Sequence, residues 1–402
     1  MISPWTVRAR WLLPIDRPPV SNGVLRVDNG RIVSVESAPA ARVDLDLGDA
    51  VILPGLVNAH MHLDLGGLRS LPYQLKPPAD FLAWLRAVVA YRRGSTTNEW
   101  DAAIVQGIEE SLRCGTTLIG DISVDGRSLN FLSNTPLRGT VFHEVIGLTR
   151  ARARQTWQAA ARWIEANPAT DVSRPGLSPH APYSVRKGLF RLAARWSRRL
   201  GLPLSSHLAE TRTELELLSK HAGALRQFLE ELGAWDESGL APGIDWIAQA
   251  CSHGARFCSV HLNHAAGTPV KHLIWCPRTH AYFGHPPHPF EGYLKAGVNV
   301  ALGTDSLASC PDLSVLEEAR WVYRNYSHLG AAQVLRLVTI NGAKALMWDE
   351  EVGSLAPGKS ADWIAIPLEA RFHDQPELGV LESDARVWKV CIRGAVCQDA
   401  GA

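Results

Sequence analysis

Short apolar runs and longer amphipathic stretches alternate through the central part of the chain. Eight of the runs have the length and composition of buried strands. They lie at residues 57–63, 116–123, 139–146, 176–180, 203–207, 257–262, 272–276 and 298–303. The stretches between them, for example 100–113 and 185–200, carry apolar residues at i, i+3 and i+4, which is typical of helices packed on one face. Eight alternations of strand and helix predict an α/β fold of the (β/α)8 TIM-barrel class, with a doubly wound sheet as the alternative.

The two ends of the chain carry a different pattern of short strands separated by turn residues. These runs lie at 6–13, 23–27, 31–34 and 50–53 near one end, and at 353–355, 362–366, 387–392 and 395–397 near the other. Neither end is long enough for a stable sheet of its own. We therefore expect residues 1–54 and 350–402 to form one composite β-sandwich domain, and residues 55–349 to form the barrel domain.

The charge balance narrows the class of partner. The 402 residues include 41 Lys and Arg against 40 Asp and Glu, which leaves a formal charge of +1. Such a balance offers no basic field for a nucleic acid polymer or for an anionic membrane. The chain also lacks an apolar run of the ~18 residues that a membrane helix needs. We expect a cytoplasmic protein that binds a small-molecule substrate. The sequence does not decide the oligomeric state, and a homo-oligomer is one of the alternatives.

The first barrel run ends with two histidines, His60 and His62. Positions i and i+2 of a strand project to the same face, so both imidazoles point into the mouth of a barrel. An isolated pair of this kind equally fits two polar strand-end residues with hydrogen-bond partners. The seven cysteines are scattered and form no C-x-x-C pair, which argues against a disulfide framework and against a thiolate zinc site. Nitrogen and oxygen atoms would therefore have to hold any metal.

Other runs end on similar residues. His207 and Glu210 follow the fifth run, His261 the sixth and Asp305 the eighth. Because the carboxyl ends of barrel strands meet at one mouth, these side chains are expected to converge there. Three imidazoles and one carboxylate predict a divalent-metal site with a position left for water; the alternative is a set of strand-end polar groups without a metal. An i, i+3 pair cannot share a strand face, so the chain must turn between His207 and Glu210.

Four segments resemble the amidohydrolase superfamily, in its adenosine/guanine deaminase and chlorohydrolase-like branch. They are 54–62 (PGLVNAHMH), 178–183 (SPHAPY), 207–210 (HLAE) and 303–306 (GTDS). Residues 353–362 (GSLAPGKSAD) resemble the segment with which those proteins return to their β-sandwich. Residues 275–285 (WCPRTHAYFGH) further resemble aminodeoxyfutalosine deaminases. The resemblance covers essentially the whole chain.

The resemblance implies a single divalent metal ion, zinc by default. Its ligands would be His60, His62, His207 and Asp305. Members with two metals bridge them with a modified lysine near the end of the fourth strand, and residues 176–184 contain no lysine. The sequence therefore favours the mononuclear kind. Iron(II) fits the same nitrogen and oxygen donors.

The resemblance also implies hydrolytic deamination of an adenine-like ring. In such a reaction a metal-activated water would attack the amidine carbon that bears the exocyclic amine, and ammonia would leave. Asp305 would orient the nucleophile and take its proton. Glu210 would carry protons between water, ring nitrogen and leaving ammonia, and His261 would polarise the attacked group.

The substrate-binding residues depart from one branch of the family. His180 corresponds to the family's substrate-contacting histidine. In methylthioadenosine-type deaminases a glutamate at fixed spacing after a helix tryptophan holds the ribose hydroxyls, but the same offset from Trp84 gives Arg93. Arg93 and Arg278 instead present planar donors suited to a carboxylate, which the benzoate of aminodeoxyfutalosine, a menaquinone precursor, would supply. Exposed helix and loop charges are the alternative for both arginines.

Two further hypotheses keep the fold and change the function. A triazine chlorohydrolase or another cyclic amide hydrolase would use the same site with a different leaving group. A non-catalytic barrel scaffold would be expected to have lost at least one of the six proposed metal-binding and catalytic residues, and all six are present. The sequence also leaves open which of His280, His285 and His288 line the pocket, and it places His264 behind the site or on the surface.

Overall fold

The computed structural model describes residues 4–38, 42–252 and 256–399. The strands over these residues form two sheets. They are β1 (Trp5–Leu12), β2 (Val20–Asp28), β3 (Arg31–Ser37), β4 (Leu45–Asp46), β5 (Ala50–Pro54), β6 (Leu56–His62), β7 (Thr116–Ser123), β8 (Arg138–Val145), β9 (Ser173–Pro179), β10 (Pro203–Leu208), β11 (Arg256–His261), β12 (His272–Trp275), β13 (Asn299–Leu302), β14 (Asp305–Ser306), β15 (Trp363–Pro367), β16 (Lys389–Ile392) and β17 (Ala395–Asp399).

Helices fill most of the intervals between the barrel strands. They are α1 (Leu71–Gln74), α2 (Phe81–Gly94), α3 (Thr97–Arg113), α4 (Ser128–Leu132), α5 (Arg150–Ala166), α6 (Lys187–Leu200), α7 (Arg212–Lys220), α8 (Ala224–Glu231), α9 (Ile244–Ser252), α10 (Pro277–Tyr282), α11 (Phe290–Lys295), α12 (Val315–Asn325), α13 (Ala331–Leu337), α14 (Ile340–Ala345) and α15 (Pro376–Glu382). In the described ranges, none of these helices combines the length and the apolar composition that crossing a membrane requires.

Strands from both chain ends pair into one sheet, in the order β17-β16-β15-β5-β1-β2-β3, with β4 beside β1. The two ends meet where β5 pairs antiparallel with β15, placing Leu53 opposite Ile364. Leu12, Leu25 and Trp363 belong to the buried cluster on this sheet. The expectation that the ends fold together agrees with this pairing. The described strands of the two chain ends form one hydrogen-bonded sheet. The two-layer sandwich and the domain boundaries therefore stay predictions.

The second sheet is parallel and curls round the site. Its order is β13-β12-β11-β10-β9-β8-β7-β6-β14, and the eight predicted runs overlap β6 to β13 in turn. All residues of β6, β7 and β8 are buried, as expected for parallel strands covered on both faces. The strand order follows the sequence without the reversal of a doubly wound sheet. The arrangement is consistent with a TIM-like barrel.

The eighth strand is broken where it meets the first. Its first part, β13, pairs with β12, and its second part, β14, pairs with β6. Asn58 spans the break: its amide donates to Thr304 Oγ1 at 2.8 Å and accepts from the Thr304 N–H at 3.1 Å. Gly303 passes so close to β6 that a Cβ there would lie 2.6 Å from the His60 carbonyl oxygen. This close approach delivers Asp305 to the same edge as His60 and His62.

Capping residues define where the helices begin, which the pattern of apolar residues did not determine. Thr96 begins α3 with a capping box, in which its hydroxyl accepts from the Glu99 N–H and the Glu99 carboxylate accepts from the Thr96 N–H at 2.7 Å. Asp80 caps α2 through the Ala83 N–H at 2.7 Å. Helix α2 carries Trp84 and Arg92, and its position over the strand ends makes it one wall of the site.

Candidate active site

Three histidines and one aspartate meet where β6 and β10 end and where β14 begins. His60 and His62 project from one face of β6, as the period of a strand requires. His62 Nε2 lies 3.3 Å from His207 Nε2 and 3.6 Å from Asp305 Oδ1, and His60 Nε2 lies 3.8 Å from the same oxygen. All four side chains are buried. We call His60, His62, His207 and Asp305 the ligand group.

The ligand group fits a divalent metal ion. Burial, reinforced by neighbouring imidazoles, lowers the pKa of His60 and of His62 well below the usual value, so both rings are neutral and offer lone pairs. Among the described residues, neither ring nitrogen of His60 has a hydrogen-bond partner. A tetrahedral ion bound at about 2.0–2.1 Å separates its ligand atoms by about 3.3 Å, which matches the His62 to His207 distance.

A backbone carbonyl orients the third histidine. His207 Nδ1 donates to the His180 carbonyl oxygen at 2.9 Å. This hydrogen bond fixes the tautomer that leaves Nε2 without a proton and facing His62. His180 follows β9, so the fourth barrel strand supports a ligand that the fifth supplies.

Glu210 and His261 lie beside the ligand group. Glu210, His261 and Asp305 each place an atom within 4.8 Å of the others, and His261 Nε2 is 3.7 Å from Glu210 Oε1. Ala209 has a φ of 47°, which is the turn that the His207 and Glu210 spacing requires. His261 and Asp305, with φ of 69° and 61°, also adopt the left-handed region. We call Glu210, His261 and Asp305 the proton-transfer group, after the role that the sequence predicts for them.

Burial governs the charge of Glu210. It raises the pKa of Glu210 well above the usual value, and the charges of Asp305 and Glu214 add to the shift. A protonated carboxyl in this position is able to give a proton to a bound molecule. Asp305 shares the trend, because burial raises the pKa of its carboxyl to about 7.

Glu214 holds the loop that carries Glu210, and sequence reasoning missed it. Its two carboxylate oxygens accept from the backbone N–H groups of Ala209 at 3.0 Å and Glu210 at 3.1 Å. Glu214 itself follows Thr211 at the start of α7, and the Thr211 hydroxyl accepts from the Glu214 N–H at 3.2 Å. The spacing Thr-x-x-Glu marks a helix start and was the available signal.

A cavity of about 440 Å³ opens above these two groups. His62, His207, Glu210, His261 and Asp305 form part of its floor. Its apolar walls include Leu85, Val88 and Val89 from α2 and Phe228 and Leu229 from α8. The two helices are linked across the mouth by Arg86, whose Nη1 donates to Glu231 Oε2 at 2.5 Å.

His180 and Arg93 both line this cavity. His180 lies beside the ligand group, with Nδ1 bonded to Ser184 Oγ at 2.6 Å. Arg93 is exposed at the end of α2. It has no hydrogen-bond or ion-pair partner among the described residues, so its guanidinium is available to a ligand.

Two cavity residues that the sequence left unassigned form a buried ion pair. Arg92 Nη1 donates to Glu144 Oε2 at 2.6 Å, and Arg92 Nη2 lies 3.5 Å from Asp64 Oδ2. Glu144 is the polar residue near the end of the third predicted run. Polar residues at the ends of predicted strands were the signal that pointed to His60, and the same signal points to Glu144.

The family follows from this arrangement together with the sequence. Residues 51–397 match the model of the family described as "Amidohydrolase family". The chain belongs to the amidohydrolase family. The parallel sheet and the buried histidines and carboxylates at its edge are therefore those of a member of this family.

Two relatives of this amidohydrolase carry deaminase names. The 5-methylthioadenosine/S-adenosylhomocysteine deaminase of Thermoanaerobacter pseudethanolicus is 27% identical over 371 residues, covering 88% of this chain and 82% of the relative. The aminodeoxyfutalosine deaminase of Deinococcus radiodurans is 29% identical over 324 residues, covering 74% and 73%. A crystal structure of an adenosine deaminase from Xanthomonas campestris with bound zinc matches with a TM-score of 0.79 at 23% identity, over 97% of this chain and 92% of that one. At that identity the likeness shows the shared fold.

Arg278 lies away from the cavity of the amidohydrolase, and this corrects its expected role. Its Nε donates to Glu318 Oε1 at 2.6 Å, and its Nη2 donates to Asp312 Oδ1 at 2.7 Å and to the Ser314 carbonyl oxygen at 3.2 Å. It is not among the described residues that line the cavity. Because two carboxylates already occupy its donors, Arg278 joins α10 to α12 and is not free to bind a substrate carboxylate.

Four other histidines, His264, His280, His285 and His288, lie outside the lining of the cavity. His264 Nε2 is 3.2 Å from His285 Nδ1, and His280 Nδ1 donates to Asn263 Oδ1 at 3.1 Å. His288 Nε2 donates to the His261 carbonyl oxygen at 2.7 Å. The described residues that line the cavity include none of these four histidines. His280, His285 and His288 therefore support the loop after β12.

Proposed function

We propose that this amidohydrolase is a metal-dependent deaminase that hydrolyses the bond between an adenine-like ring and its exocyclic amine. It is then a hydrolase acting on carbon–nitrogen bonds of cyclic amidines. The observation that carries the proposal is the position of Asp305, which belongs to both the ligand group and the proton-transfer group. Water activation and proton delivery therefore converge on one point of the cavity floor. The deaminase names of the two relatives support the same reaction.

The ligand group would hold one divalent ion, and zinc is the first candidate because imidazole and carboxylate donors suit it. Bound there, the ion would lower the pKa of a coordinated water to about 7 and so supply a nucleophile at neutral pH. The zinc in the adenosine deaminase from Xanthomonas campestris supports this choice. Iron(II) accepts the same donors, and metal analysis of the purified protein distinguishes the two.

The proton-transfer group would complete the reaction. Asp305 accepts the proton that the attacking water releases, and Glu210 gives its carboxyl proton to the ring nitrogen. His261 donates toward the attacked centre and steadies the charge that develops there. Glu210, now a carboxylate, takes the proton of the added hydroxyl and passes it to the amine. The carbon–nitrogen bond breaks, and the products are ammonia and the ring carbonyl. The water proton held by Asp305 then returns to Glu210 and restores the starting state. Each such proton transfer contributes roughly 10²- to 10⁴-fold to the rate.

Aminodeoxyfutalosine is the proposed substrate. The apolar walls formed by Val88 and Phe228 offer a surface for an aromatic group attached to the nucleoside. Arg93 at the exposed end of α2 offers a planar pair of donors to an acid at the far end of that group. The relative from Deinococcus radiodurans supports the same substrate. His180 would contact the ring, since it lies between the ligand group and the walls.

A substrate panel tests the reaction and the substrate separately. Protein loaded with one equivalent of zinc is incubated with aminodeoxyfutalosine, 5-methylthioadenosine, adenosine and a chlorotriazine, and ammonia and chloride are measured. The proposal predicts ammonia, with the highest kcat/KM for aminodeoxyfutalosine. Chloride without ammonia would overturn deamination, whereas faster turnover of 5-methylthioadenosine would overturn only the substrate.

An arginine variant tests the recognition of the acid. Arg93→Met should lower kcat/KM for aminodeoxyfutalosine about 10-fold, the lower end of the range for one charged hydrogen bond because Arg93 is exposed, and should leave adenosine turnover unchanged. Equal losses for both substrates would mean that Arg93 does not contact the acid.

A further inference from the structure

One oxygen of a buried glutamate at the mouth of the barrel lacks a donor. Glu144 is 3% exposed and lines the cavity. Arg92 binds its Oε2 at 2.6 Å, but Oε1 has no hydrogen-bond partner among the described residues. The nearest polar group given for Oε1 is His180 Nε2, at 3.9 Å, which is beyond hydrogen-bond distance. A buried, charged acceptor in this state is costly, and such a group at a cavity points to a ligand that supplies the donor.

The surroundings of Glu144 keep it ionised. Burial opposes ionisation, but the charge and the hydrogen bond of Arg92, together with the neighbouring His180 and His207, outweigh it, and the pKa of Glu144 is lowered to about 2. An ionised carboxylate accepts hydrogen bonds and donates none. The part of a bound molecule that fits Glu144 Oε1 is therefore a hydroxyl or another N–H or O–H donor. An acidic group would be repelled by the carboxylate.

The position of Glu144 selects the part of the substrate that reaches it. The ligand group and the proton-transfer group occupy β6, β10, β11 and β14 and the loop after β10, where the ring edge with the amine must lie. Glu144 on β8 and His180 after β9 lie on a separate arc of the same mouth. The side of the ring away from the amine faces this arc, and in a nucleoside that side carries the sugar, whose hydroxyls are donors.

We propose that Glu144 recognises the sugar of the substrate by accepting a hydrogen bond from its vicinal hydroxyls through Oε1, while Arg92 holds Oε2. This inference rests on the proposed deamination of an adenine nucleoside and extends it to a residue on the third barrel strand. Glu144 is then a specificity-determining residue that distinguishes ribonucleosides from their deoxy analogues. It takes no part in the proton transfers.

Sugar analogues and two substitutions test the assignment together. Ammonia release from adenosine and from 2′,3′-dideoxyadenosine is measured for the zinc-loaded wild type, Glu144→Gln and Glu144→Ala. In the wild type, removal of both hydroxyls should lower kcat/KM about 10- to 100-fold, the range of one charged hydrogen bond. In both variants adenosine should lose a similar factor while the dideoxynucleoside changes less than ~3-fold, so the ratio of the two substrates should approach 1.

A second buried pair supplies the matched control. Glu318→Gln weakens the Arg278 pair, which is equally buried and lies outside the cavity, so the ratio of the two substrates should stay at the wild-type value. The wild-type ratio needs no variant, which keeps the test decisive if a Glu144 variant fails to fold. Equal kcat/KM for the two nucleosides in the wild type, or an unchanged ratio in both Glu144 variants, would overturn the assignment while deamination stands. Absence of ammonia from every nucleoside would overturn the proposed function itself, and the assignment with it.

Discussion

His288 Nε2 donates a hydrogen bond of 2.7 Å to the backbone carbonyl of His261. The bond lies at a strained point, since His261 and the next residue, Leu262, have φ values of 69° and 53°. The His288 ring is itself fixed by stacking on Trp275, with ring centroids 4.9 Å apart. A buried, neutral imidazole thus holds the backbone that aims His261 at the cavity.

Loss of this hydrogen bond should slow the reaction without weakening substrate binding. His288→Ala should lower kcat about 10-fold, because the His261 ring is no longer held in place, and should leave KM within ~3-fold. His288→Gln keeps a donor and should recover part of the rate. Steady-state kinetics of both variants with adenosine and a thermal melt measure the effect. A wild-type kcat for His288→Ala would show that the bond does not position His261.

Glu210→Gln separates catalysis from folding and metal binding. The amide keeps the shape of the carboxyl but transfers no proton, so turnover should fall by at least roughly 10²-fold. The metal content and the Tm should stay at wild-type values, because Glu210 is outside the ligand group. Metal analysis, a thermal melt and ammonia release are measured on the same preparation. Loss of the metal or gross unfolding would show that its role is structural.

Glu214→Gln should disturb the loop that carries Glu210. Both oxygens of Glu214 accept backbone N–H groups, and an amide would set its NH₂ against one of them. We expect a lower Tm and a fall in kcat of about 10-fold. Glu216→Gln is the control, since Glu216 lies on the same helix in a surface pair with Lys220 and should change neither quantity. Equal effects of the two substitutions would contradict the role of Glu214.

Asp121 should make the stability of the metal-free protein depend on pH. Burial raises the pKa of Asp121 to about 7, against about 3.9 for an unfolded chain, although the Ser128 hydroxyl and the Leu63 N–H both bond to it. The contribution of the neutral carboxyl is complete below pH 4 and is lost as the pH rises through 7, because the unfolded chain releases its proton first. The Tm of the wild type should fall relative to Asp121→Asn over this window. A constant difference between the two from pH 4 to 8 would contradict the assignment.

The pattern of strands and helices predicted which side chains lie together at the ends of the parallel strands. The positions of His60, His62, His207 and Asp305 at strand ends place them at one mouth, because parallel strands end at the same edge. Hydrogen-bond and ion-pair partners that tertiary packing brings together could not be predicted from the sequence. Arg278 pairs with Asp312 and Glu318, 34 and 40 residues away, through a helix contact that no local pattern encodes.

Residues that act as supports were missed for the same reason. Glu214 follows a capping pattern, but only the turn at Ala209 brings the Glu210 N–H to its side chain. Glu144 ends a predicted strand, yet its importance depends on Arg92 reaching it from α2. The residues expected to act on the substrate could be found from their positions at strand ends. The residues that support them depend on contacts between elements and could not.

A metal titration of ammonia release tests the central claim most directly. Metal-free protein receives zinc from 0 to about 2 equivalents, and the initial rate of ammonia release from aminodeoxyfutalosine or adenosine is measured at each point. The ligand group predicts no activity without metal, a linear rise and a break at one equivalent. Full activity in the absence of metal, or saturating metal without ammonia, would contradict the account.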